Sequence, residues 1–572
     1  MLHRIGMKCK ELWIMRILFV THGFNSLTQR LYCEMVARGH DVSIEFDIAD
    51  GVTEEAVALF KPDLIIAPFL KRAIPESIWS RYCCLVVHPG EPGDRGPSAL
   101  DWAIQHGLKH WGVTVLQAEA EMDAGPVWAS ATVPMRPGKK SSIYRNEVTE
   151  AAVRSVIAAV DRKKAGNFKS ERVPGQAHAI MTQVDRAIDW SLDSTAAILA
   201  RLNAADGFPG VADELFGHPC HLFDAWPEAV FKGVPGSVLG RRETAICRAT
   251  VDGGIWIGHV KRAGGIKLPS THAFAEAADL PELPLAGLWK SPTPTWQDIA
   301  YEEAAGVGFL SFEFYNGAMS AQQCRRLTEA FRWATERAIK VIVLRGGSDF
   351  WSNGIHLNLI EAADSPADES LANINAIDDL AETILRCETR LVVAAVGGNV
   401  GAGGCFLARA ADFVWVRDGV VLNPHYKNMG NLYGSEFWTY LLPQRVGEDG
   451  ARAVMRRRLP MMAHEAVKLG FYDACLPGPG FHVDVARRAA ELAAFPDFQK
   501  RLDDKQARRQ SDEAIKPLAA YREEELKEMQ RNFYGFDASY HIARHHFVSR
   551  SPASWTPRHL ARHRDLDWKV PD

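Results

Sequence analysis

The chain has 572 residues, a length that predicts about three domains, each able to bury a core of its own. Its hydrophobic content of 47% and formal net charge of −4 are those of an ordinary globular protein, and this balance argues against nucleic acid as a partner. The ten cysteines form no CxxC pair, and no apolar run approaches the roughly 20 residues of a membrane span. Because Met1–Ile14 also lacks the apolar core of a signal peptide, we expect a cytoplasmic protein without disulfides, a metal site or a membrane partner.

Four short apolar segments in the N-terminal third alternate with helical patterns. Alternation of this kind predicts a Rossmann-like α/β domain with a parallel sheet, whose ligand lies at the carboxyl ends of the strands. The predicted strands are Ile17–Val20, Val42–Phe46, Leu64–Ala67 and Cys84–Val87.

Two motifs stand at such strand ends: His88-Pro-Gly, and a Gly112-Val-Thr segment that leads to Met122-Asp-Ala-Gly-Pro-Val. Together they resemble the formyltransferase family that uses 10-formyltetrahydrofolate. The resemblance implies that His88 polarises the formyl carbonyl and that Asp123 manages the proton of the attacking group. The cofactor-binding positions that it implies in this half are Leu70, Pro89 and Gly90.

One position departs from that family. An Asn normally precedes the His by two residues and helps to hold the developing oxyanion, whereas this chain has Val86. Loss of one such donor typically lowers the rate by about 10²–10³. We therefore expect either a substitute donor, such as a backbone N–H, or slow formyl transfer. Taken alone, His88 also fits a loop histidine before a Pro-Gly turn.

The middle third continues the same resemblance. Asp185–Ala204 is a capped turn that leads into an amphipathic helix. Short strands separated by glycine turns, near residues 230–275, predict the small OB-like β-barrel of the formyltransferase C-terminal module. The basic residues here are too few for a nucleic-acid surface, so a solvated loop is expected at Lys261, Arg262 and Lys267.

In the C-terminal half, two buried strands end in turns that present backbone amides, one at Gly354–Ile355 and one in the glycine run after Val396. Two such amides can converge on one carbonyl oxygen and form an oxyanion hole. In order and spacing, FLSFEFYNGAMS, VIVLRGGSDFWSNGIHL and AAVGGNVGAGGCFLARAADF resemble the crotonase (enoyl-CoA hydratase/isomerase) superfamily. That resemblance implies that Ile355 and Gly403 hold the carbonyl of an acyl-CoA thioester, with cofactor-binding positions at Gly354 and Gly404.

The crotonase-like half lacks both catalytic glutamates of the hydratases. Phe406 and His425 stand at their positions, so we do not expect enoyl hydration. Glu436 instead stands in the segment that ordinarily lies over the thioester, where apolar surroundings would raise its pKa and suit it to proton transfer. Tyr426 and Tyr433 are its candidate partners. The alternatives are core packing for the tyrosines and a carboxylate at a helix N-terminus for Glu436.

The fold class predicted is therefore α/β and multidomain. We expect a formyltransferase-like domain at 15–165, its β-barrel module at 166–290, a crotonase domain of ββα repeats at 297–490 and a helical segment at 491–572. The proline-rich stretch Pro281–Pro294 is the expected linker into the third domain. No regularly spaced carboxylate or cysteine accompanies the C-terminal histidines, so we predict a polar surface and no metal at His541, His545 and His546.

A folate formyltransferase half joined to a CoA-thioester half is similar to the HypX (HoxX) family of nickel–iron hydrogenase maturation factors. The resemblance implies formyl transfer from 10-formyltetrahydrofolate to coenzyme A, and then the splitting of formyl-CoA into CoA and carbon monoxide for the hydrogenase metal site. Its implied partners are hydrogenase maturation proteins or the hydrogenase large subunit. Two alternatives stay open: a formyltransferase with another acceptor and a CoA-binding platform, and a non-catalytic scaffold for one-carbon delivery.

Overall fold

The structure, a computed structural model, describes residues 14–565 apart from 286 and 288. Most of the segment in which we expected no signal peptide, Met1–Ile14, therefore lies outside the described residues. The elements of the N-terminal domain are β1 (Arg16–Thr21), α1 (Ser26–Ala37), β2 (Asp41–Phe46), α2 (Asp50–Phe60), β3 (Leu64–Ala67), α3 (Glu76–Trp79), β4 (Cys84–His88), β5 (Asp94–Arg95), α4 (Ala99–Gln105), β6 (His110–Gln117), β7 (Val127–Pro134), α5 (Lys140–Ile143), α6 (Thr149–Ala165) and β8 (Gln176–Ala177).

The main sheet of this domain has the strand order β2-β1-β3-β4-β6-β7. The four predicted strands pair in parallel, but β6 and β7 add to them in antiparallel fashion. The expectation of a parallel sheet was wrong for this edge: β6 runs opposite to β4 although α4 lies between them in the chain, and a direct loop joins β6 to β7 as an antiparallel pair. The carboxyl end of β4 carries His88 at the boundary between the parallel and antiparallel parts.

The middle module contains α7 (Thr195–Ala205), β9 (Val211–Leu215), β10 (His218–Glu228), β11 (Val238–Arg242), β12 (Ala245–Ala249), β13 (Gly254–Arg262), β14 (Lys267–Pro269) and α8 (Ser270–Ala273). Its six strands form one antiparallel sheet in the order β11-β12-β13-β10-β9, with β14 beside β13. The predicted helix begins only at Thr195, where the side chain of Ser194 caps it. The sheet packs its apolar face against α7.

The proline-rich stretch after the barrel is anchored to it. The carbonyl oxygen of Pro281 accepts a hydrogen bond of 2.9 Å from the amide of Arg241, and the carbonyl oxygen of Arg241 accepts one of 2.8 Å from the amide of Leu283. Trp296 is 4% exposed and its ring lies 6.4 Å from that of Trp256. The expected linker is thus a docked connection and not a free tether.

The third domain contains β15 (Ile299–Ala304), β16 (Val307–Phe312), α9 (Ala321–Thr335), β17 (Val341–Arg345), β18 (Phe350–Ser352), α10 (Leu357–Ala362), α11 (Pro366–Leu385), β19 (Leu391–Val396), β20 (Asn399–Gly401), α12 (Gly403–Arg409), β21 (Phe413–Arg417), β22 (Val421–Asn423), α13 (Trp438–Arg456), β23 (Met461–Met462), α14 (Ala463–Lys468), β24 (Ala474–Leu476) and α15 (Phe481–Ala493). One sheet has the order β15-β16-β17-β19-β21-β24, and a smaller one has the order β18-β20-β22-β23. From β17 to β22, each successive ββ pair thus places one strand in each sheet, as the crotonase fold predicts, and the glycine turns lie at the ends of β18 and β20.

Three helices follow: α16 (Phe498–Ile515), α17 (Leu518–Tyr534) and α18 (Ser539–Ser549). Beyond them the chain returns to the N-terminal domain, where the carbonyl oxygen of Leu560 accepts a hydrogen bond of 3.0 Å from the amide of Ile44. Leu560 also shares the core of that domain with Val421 and Met462 of the crotonase domain. The two halves of the chain are therefore packed into one body through a common apolar cluster.

Across the residues that the structure describes, no helix combines the length and apolar character needed to cross a bilayer. Within the same ranges, no three His, Cys, Asp or Glu side chains are grouped so that they could hold a metal ion. The C-terminal histidines instead make side-chain contacts, since His545 Nδ1 lies 2.6 Å from Glu361 Oε1 and His541 Nε2 lies 2.9 Å from the carbonyl oxygen of Phe533.

Two candidate active sites

The first candidate site is built at the carboxyl end of β4. His88, the last residue of that strand, is 5% exposed. Its Nε2 atom lies 2.8 Å from Oδ2 of Asp94, and its Nδ1 atom lies 3.6 Å from Oδ1 of Asp123. The other carboxylate oxygen of Asp94 lies 2.8 Å from Nδ1 of His178. The structure brings the predicted His88–Asp123 pair together and adds a second carboxylate and a second histidine.

The Pro89–Gly90 turn leaves room for this group of side chains. A Cβ added to Gly90 would lie 2.3 Å from Nε2 of His88 and 2.5 Å from Oδ2 of Asp94, so no side chain fits at this position. The carbonyl oxygens of Pro89 and Gly90 each accept a hydrogen bond of 2.8 Å from a side chain of β6. These bonds hold the turn against the sheet directly beside the histidine.

Asp123 reaches the site from a strained turn. Its φ of 56° is in the left-handed region, which is uncommon for a residue other than glycine. Its Oδ2 atom accepts a hydrogen bond of 3.3 Å from the amide of Gly96. The Gly96 amide thus holds this carboxylate beside His88, and strain that persists in this way is frequent at functional sites.

The position of the missing asparagine is apolar. Val86 packs with Leu70 against the apolar cluster under α2 and α3, so neither side chain supplies a hydrogen-bond donor to the formyl oxygen. The structure adds Asp94 beside His88, with His178 behind it, and neither could be recognised in the sequence. Asp94 stands alone in a Gly-Asp-Arg-Gly loop, and its partners lie 6 and 84 residues away along the chain, so no local spacing pointed to it.

The second candidate site lies where the two glycine turns of the crotonase domain meet. Ile355 follows β18, and Gly403 is the first residue of α12, so the amide of Gly403 has no acceptor one helical turn earlier. A Cβ added to Gly354 would stand 3.5 Å from the amide nitrogen of Gly403. The two turns are therefore adjacent, as an oxyanion hole formed by Ile355 and Gly403 requires.

Close backbone contact fixes the start of α12. A Cβ added to Gly404 would lie 2.3 Å from the carbonyl oxygen of Ser352 in β18, so this glycine allows the helix to approach the strand. Ala402, just before the helix, has a φ of 47° in the left-handed region. Both features position the amide of Gly403, and Gly404, a predicted cofactor-binding position, lies in close contact with β18 beside the turn.

Glu436 lies over the glycine of this turn. A Cβ added to Gly403 would fall 2.0 Å from Oε1 and 2.6 Å from Oε2 of Glu436, so the carboxyl group fills the space that a side chain at position 403 would take. The hydroxyl of Tyr426 donates a hydrogen bond of 2.6 Å to Oε2 of Glu436. Glu436 is 1% exposed. The structure thus joins three of the predicted site residues in one buried group.

Burial changes the proton chemistry of this group. It raises the pKa of Glu436 to about 8, and the negative charge of Asp378 adds to that rise, whereas the Tyr426 hydrogen bond opposes it. Burial, together with the charge of Glu436, also raises the pKa of Tyr426. A carboxyl group with a pKa near 8 gains and loses a proton close to neutral pH, as general acid–base catalysis requires.

The second tyrosine candidate is not part of this group. Tyr433 packs against Trp438, with ring centroids 5.4 Å apart, and its amide is bound to the side chain of Asn532. Phe406, at the position of the first hydratase glutamate, is fully buried and stacks on Tyr426 at 5.9 Å. The partner of Glu436 is therefore Tyr426, and the ring of Phe406 packs against that tyrosine.

His425, at the position of the second hydratase glutamate, is 5% exposed. Neither of its ring nitrogens has a hydrogen-bond partner within the described part of the chain. Burial, with smaller contributions from the charges of His559 and Arg458, lowers its pKa to about 4. The imidazole is therefore neutral at physiological pH and does not replace a hydratase carboxylate.

Comparison with known proteins agrees with this architecture. Residues 48–160 match the family Formyl transferase, residues 180–277 match Formyl transferase, C-terminal domain, and residues 304–558 match Enoyl-CoA hydratase/isomerase. Hydrogenase maturation factor HoxX from Bradyrhizobium diazoefficiens is 52% identical over 559 residues, which cover 96% of this chain and 97% of that protein. The chain belongs to the HypX/HoxX family of hydrogenase maturation factors.

Structural comparison extends the HypX/HoxX likeness to both halves. The crystal structure of HypX from Aquifex aeolicus in complex with tetrahydrofolic acid has 48% identity and a TM-score of 0.95, and the match covers 97% of this chain and 100% of that one. Methionyl-tRNA formyltransferase from Ralstonia nicotianae is 24% identical over only 225 residues, 38% of this chain and 68% of its own length. The predicted family and the predicted fold class are both confirmed.

Proposed function

We propose that this chain makes carbon monoxide for a hydrogenase metal site in two steps. In the first, the thiol of CoA takes the formyl group of 10-formyltetrahydrofolate, which gives formyl-CoA and tetrahydrofolate. In the second, formyl-CoA splits into carbon monoxide and CoA. The observation that carries the proposal is the Glu436 carboxyl group, which lies over Gly403 in the turn that binds the thioester carbonyl in crotonases.

His88 and Asp123 suit the first step. The attacking thiol must lose a proton, the formyl C–N bond must break, and the folate nitrogen must regain a proton. Asp123 lies 3.6 Å from His88 and is the group that accepts the thiol proton, while the imidazole stabilises the oxygen of the tetrahedral intermediate. Support for the folate comes from the Aquifex relative, whose structure contains tetrahydrofolic acid.

The second step needs a base close to a polarised formyl group. The amides of Ile355 and Gly403 bind the formyl oxygen, and Glu436 removes the formyl proton. The electron pair of the C–H bond stays on carbon as carbon monoxide forms, the pair of the C–S bond leaves with sulfur, and Glu436 returns its proton to the thiolate. Tyr426 holds Oε2, which leaves Oε1 directed toward the oxyanion hole.

The absence of the two hydratase glutamates fits decarbonylation better than it fits hydration. Adding water across a double bond needs two carboxylates, whereas decarbonylation must keep water away from formyl-CoA. Phe406 is fully buried beside Tyr426, and the imidazole of His425 is neutral. A buried site from which water is excluded protects a labile thioester and strengthens the electrostatic contacts inside it.

We also propose the division of the chain into 15–165, 166–290, 297–490 and 491–572. The first and third of these units meet close to the second site, because the side chain of Asn423 donates a hydrogen bond of 2.9 Å to Oε1 of Gln29 on α1. Two sites in one rigid body keep formyl-CoA at a high local concentration. We also propose a cytoplasmic location and, as partners, hydrogenase maturation proteins or the hydrogenase large subunit; the name of the Bradyrhizobium relative supports the role in hydrogenase maturation.

The test is to incubate the purified protein with CoA and 10-formyltetrahydrofolate labelled at the formyl carbon, and to measure labelled carbon monoxide in the headspace. Gas that requires both compounds is the expected result. Labelled formyl-CoA without gas would instead indicate a transferase with a CoA platform. Neither product would favour another formyl acceptor or the non-catalytic scaffold.

A further inference from the structure

The loop that carries Glu436 has an unusual backbone. Glu436 and the next residue, Phe437, have φ values of 61° and 60°, and Gly434 before them has a φ of 95°. A left-handed conformation is unfavourable for Glu and Phe, because neither has the short polar side chain that makes it accessible to Asn or Asp. Contacts from outside the loop must hold this backbone in place.

One contact comes from α11. The Oδ1 atom of Asp378 accepts a hydrogen bond of 2.9 Å from the amide of Glu436 itself. Both oxygens of the same carboxylate lie 2.7 Å from the hydroxyl of Ser435, which donates to it. A single side chain therefore binds the residue that carries the acid–base group and the residue before it.

The other contact comes from α17, in the C-terminal helical segment. The Oε2 atom of Glu525 accepts a hydrogen bond of 2.9 Å from the amide of Phe437, and its Oε1 atom accepts one of 2.8 Å from the amide of Thr439. Asp378 is 1% exposed and Glu525 is fully buried. Buried carboxyl groups are costly unless they are fully hydrogen-bonded, so their presence here calls for a role.

We propose that Asp378 and Glu525 are positioning residues for the carbon monoxide-releasing site. Together they bind the amides of Glu436 and of the residues after it, which keeps the Glu436 carboxyl group over Gly403. This inference rests on the proposed function of Glu436 as the group that handles the formyl proton. It also gives the C-terminal segment a direct part in that site, through Glu525.

The same geometry joins three carboxyl groups in one buried space. Burial raises the pKa of Asp378 to about 6 against the opposing effect of its hydrogen bonds, and burial with the charge of Asp378 raises that of Glu525 to about 8. Asp378 is thus the most acidic of the three, and its charge favours a protonated Glu436. The other ionisable groups that interact with these carboxyls include Tyr426, Tyr433, Cys324, Cys405, Arg522 and Asp379.

The test separates position from charge. Asp378→Asn keeps an oxygen that can accept the Glu436 amide but removes the charge, whereas Asp378→Ala removes both. The matched control is Glu524→Gln, one residue before Glu525 and largely exposed. Each variant is assayed for formyl-CoA formation, which reports folding, and for carbon monoxide release from supplied formyl-CoA over a range of pH.

Asp378→Ala should lower kcat for carbon monoxide release by about 10²-fold with KM little changed, because a displacement of about 1 Å at a reacting group costs that much. Asp378→Asn should keep more of the rate and should move the pH profile to lower pH, since a negative charge beside Glu436 has been removed. Glu525→Gln should shift the profile in the same direction. A role limited to stability would not shift a pH profile.

The inference is overturned by two results together: Asp378→Asn leaves the pH profile unchanged, and Asp378→Ala releases carbon monoxide at the wild-type rate. This conclusion requires that Glu436→Gln has lost carbon monoxide release in the same assay. If Asp378→Ala fails to fold, the pH profiles of Asp378→Asn and Glu525→Gln decide alone. A Glu436→Gln protein with the wild-type rate would overturn the proposed base as well. The two failures are therefore distinguishable by whether Glu436→Gln is active.

Discussion

Replacing Gly403 by alanine adds one methyl group at the point where the oxyanion hole and the carboxyl group of Glu436 meet. The new Cβ would lie 2.0 Å from Oε1 and 2.2 Å from Cδ of Glu436, whereas ordinary contacts begin at 3.4 Å. The carboxyl group must therefore move by about 1.4 Å, and a shift of about 1 Å typically costs 10²-fold in rate. The amide of residue 403 is kept. The loss of rate would therefore come from the displaced carboxyl group and not from a missing hydrogen-bond donor.

The assay is carbon monoxide release from supplied formyl-CoA, with formyl-CoA formation measured on the same preparation. We expect Gly403→Ala to lose about 10²-fold in the first and nothing in the second. Gly478→Ala is the matched control, because the nearest atoms to its added Cβ stand 3.9 Å away and its φ is ordinary. Carbon monoxide release by Gly403→Ala at the wild-type rate would refute the placement of the Glu436 carboxyl group beside the reacting formyl group.

Three further predictions follow from the same contacts. Gly90→Ala puts a Cβ 2.3 Å from Nε2 of His88. Formyl-CoA formation should therefore be lost, while carbon monoxide release from supplied formyl-CoA persists. Equal loss of both activities would contradict two separate sites. Tyr426→Phe removes a hydrogen bond that lowers the pKa of Glu436. Its carbon monoxide release should therefore fall by about 10²-fold and its pH profile should move to higher pH. An unchanged profile would count against the pairing of Tyr426 with Glu436. Glu436 holds its proton up to about pH 8 when folded but loses it near pH 4.5 when unfolded, so wild-type stability should fall as pH rises through this window. The thermal midpoint of Glu436→Gln should fall less over that range, and parallel curves would argue against the raised pKa.

Much of the fold could be predicted from local patterns. Each of three segments combines an apolar run with a glycine or proline that ends the strand, and such a pattern needs only a few residues. These segments are the strand that ends at His88 and the two turns at Gly354 and Gly403. Their order along the chain also carried the family resemblance. The antiparallel edge formed by β6 and β7 was missed, because the pattern of apolar residues does not show the direction in which neighbouring strands run.

The partners of the candidate acids could not be predicted. Asp94 binds a histidine 84 residues away, and the carboxyl groups that hold the Glu436 loop lie 58 and 88 residues from it on other helices. An isolated Asp378 or Glu525 in a charged helix looks like a solvated surface residue until the tertiary structure buries it. The choice between Tyr426 and Tyr433 likewise depended on side-chain direction in an irregular loop, which has no periodicity to read.

The most direct test of the two-site account is the fate of the labelled formyl carbon in a Glu436→Gln protein that is given 10-formyltetrahydrofolate and CoA. The account predicts that formyl-CoA accumulates with the label and that labelled carbon monoxide is absent, because the first site is intact and the second has lost its base. His88→Gln should show neither product from the same mixture but should still release gas from supplied formyl-CoA. Labelled carbon monoxide at the wild-type rate from Glu436→Gln would contradict the account.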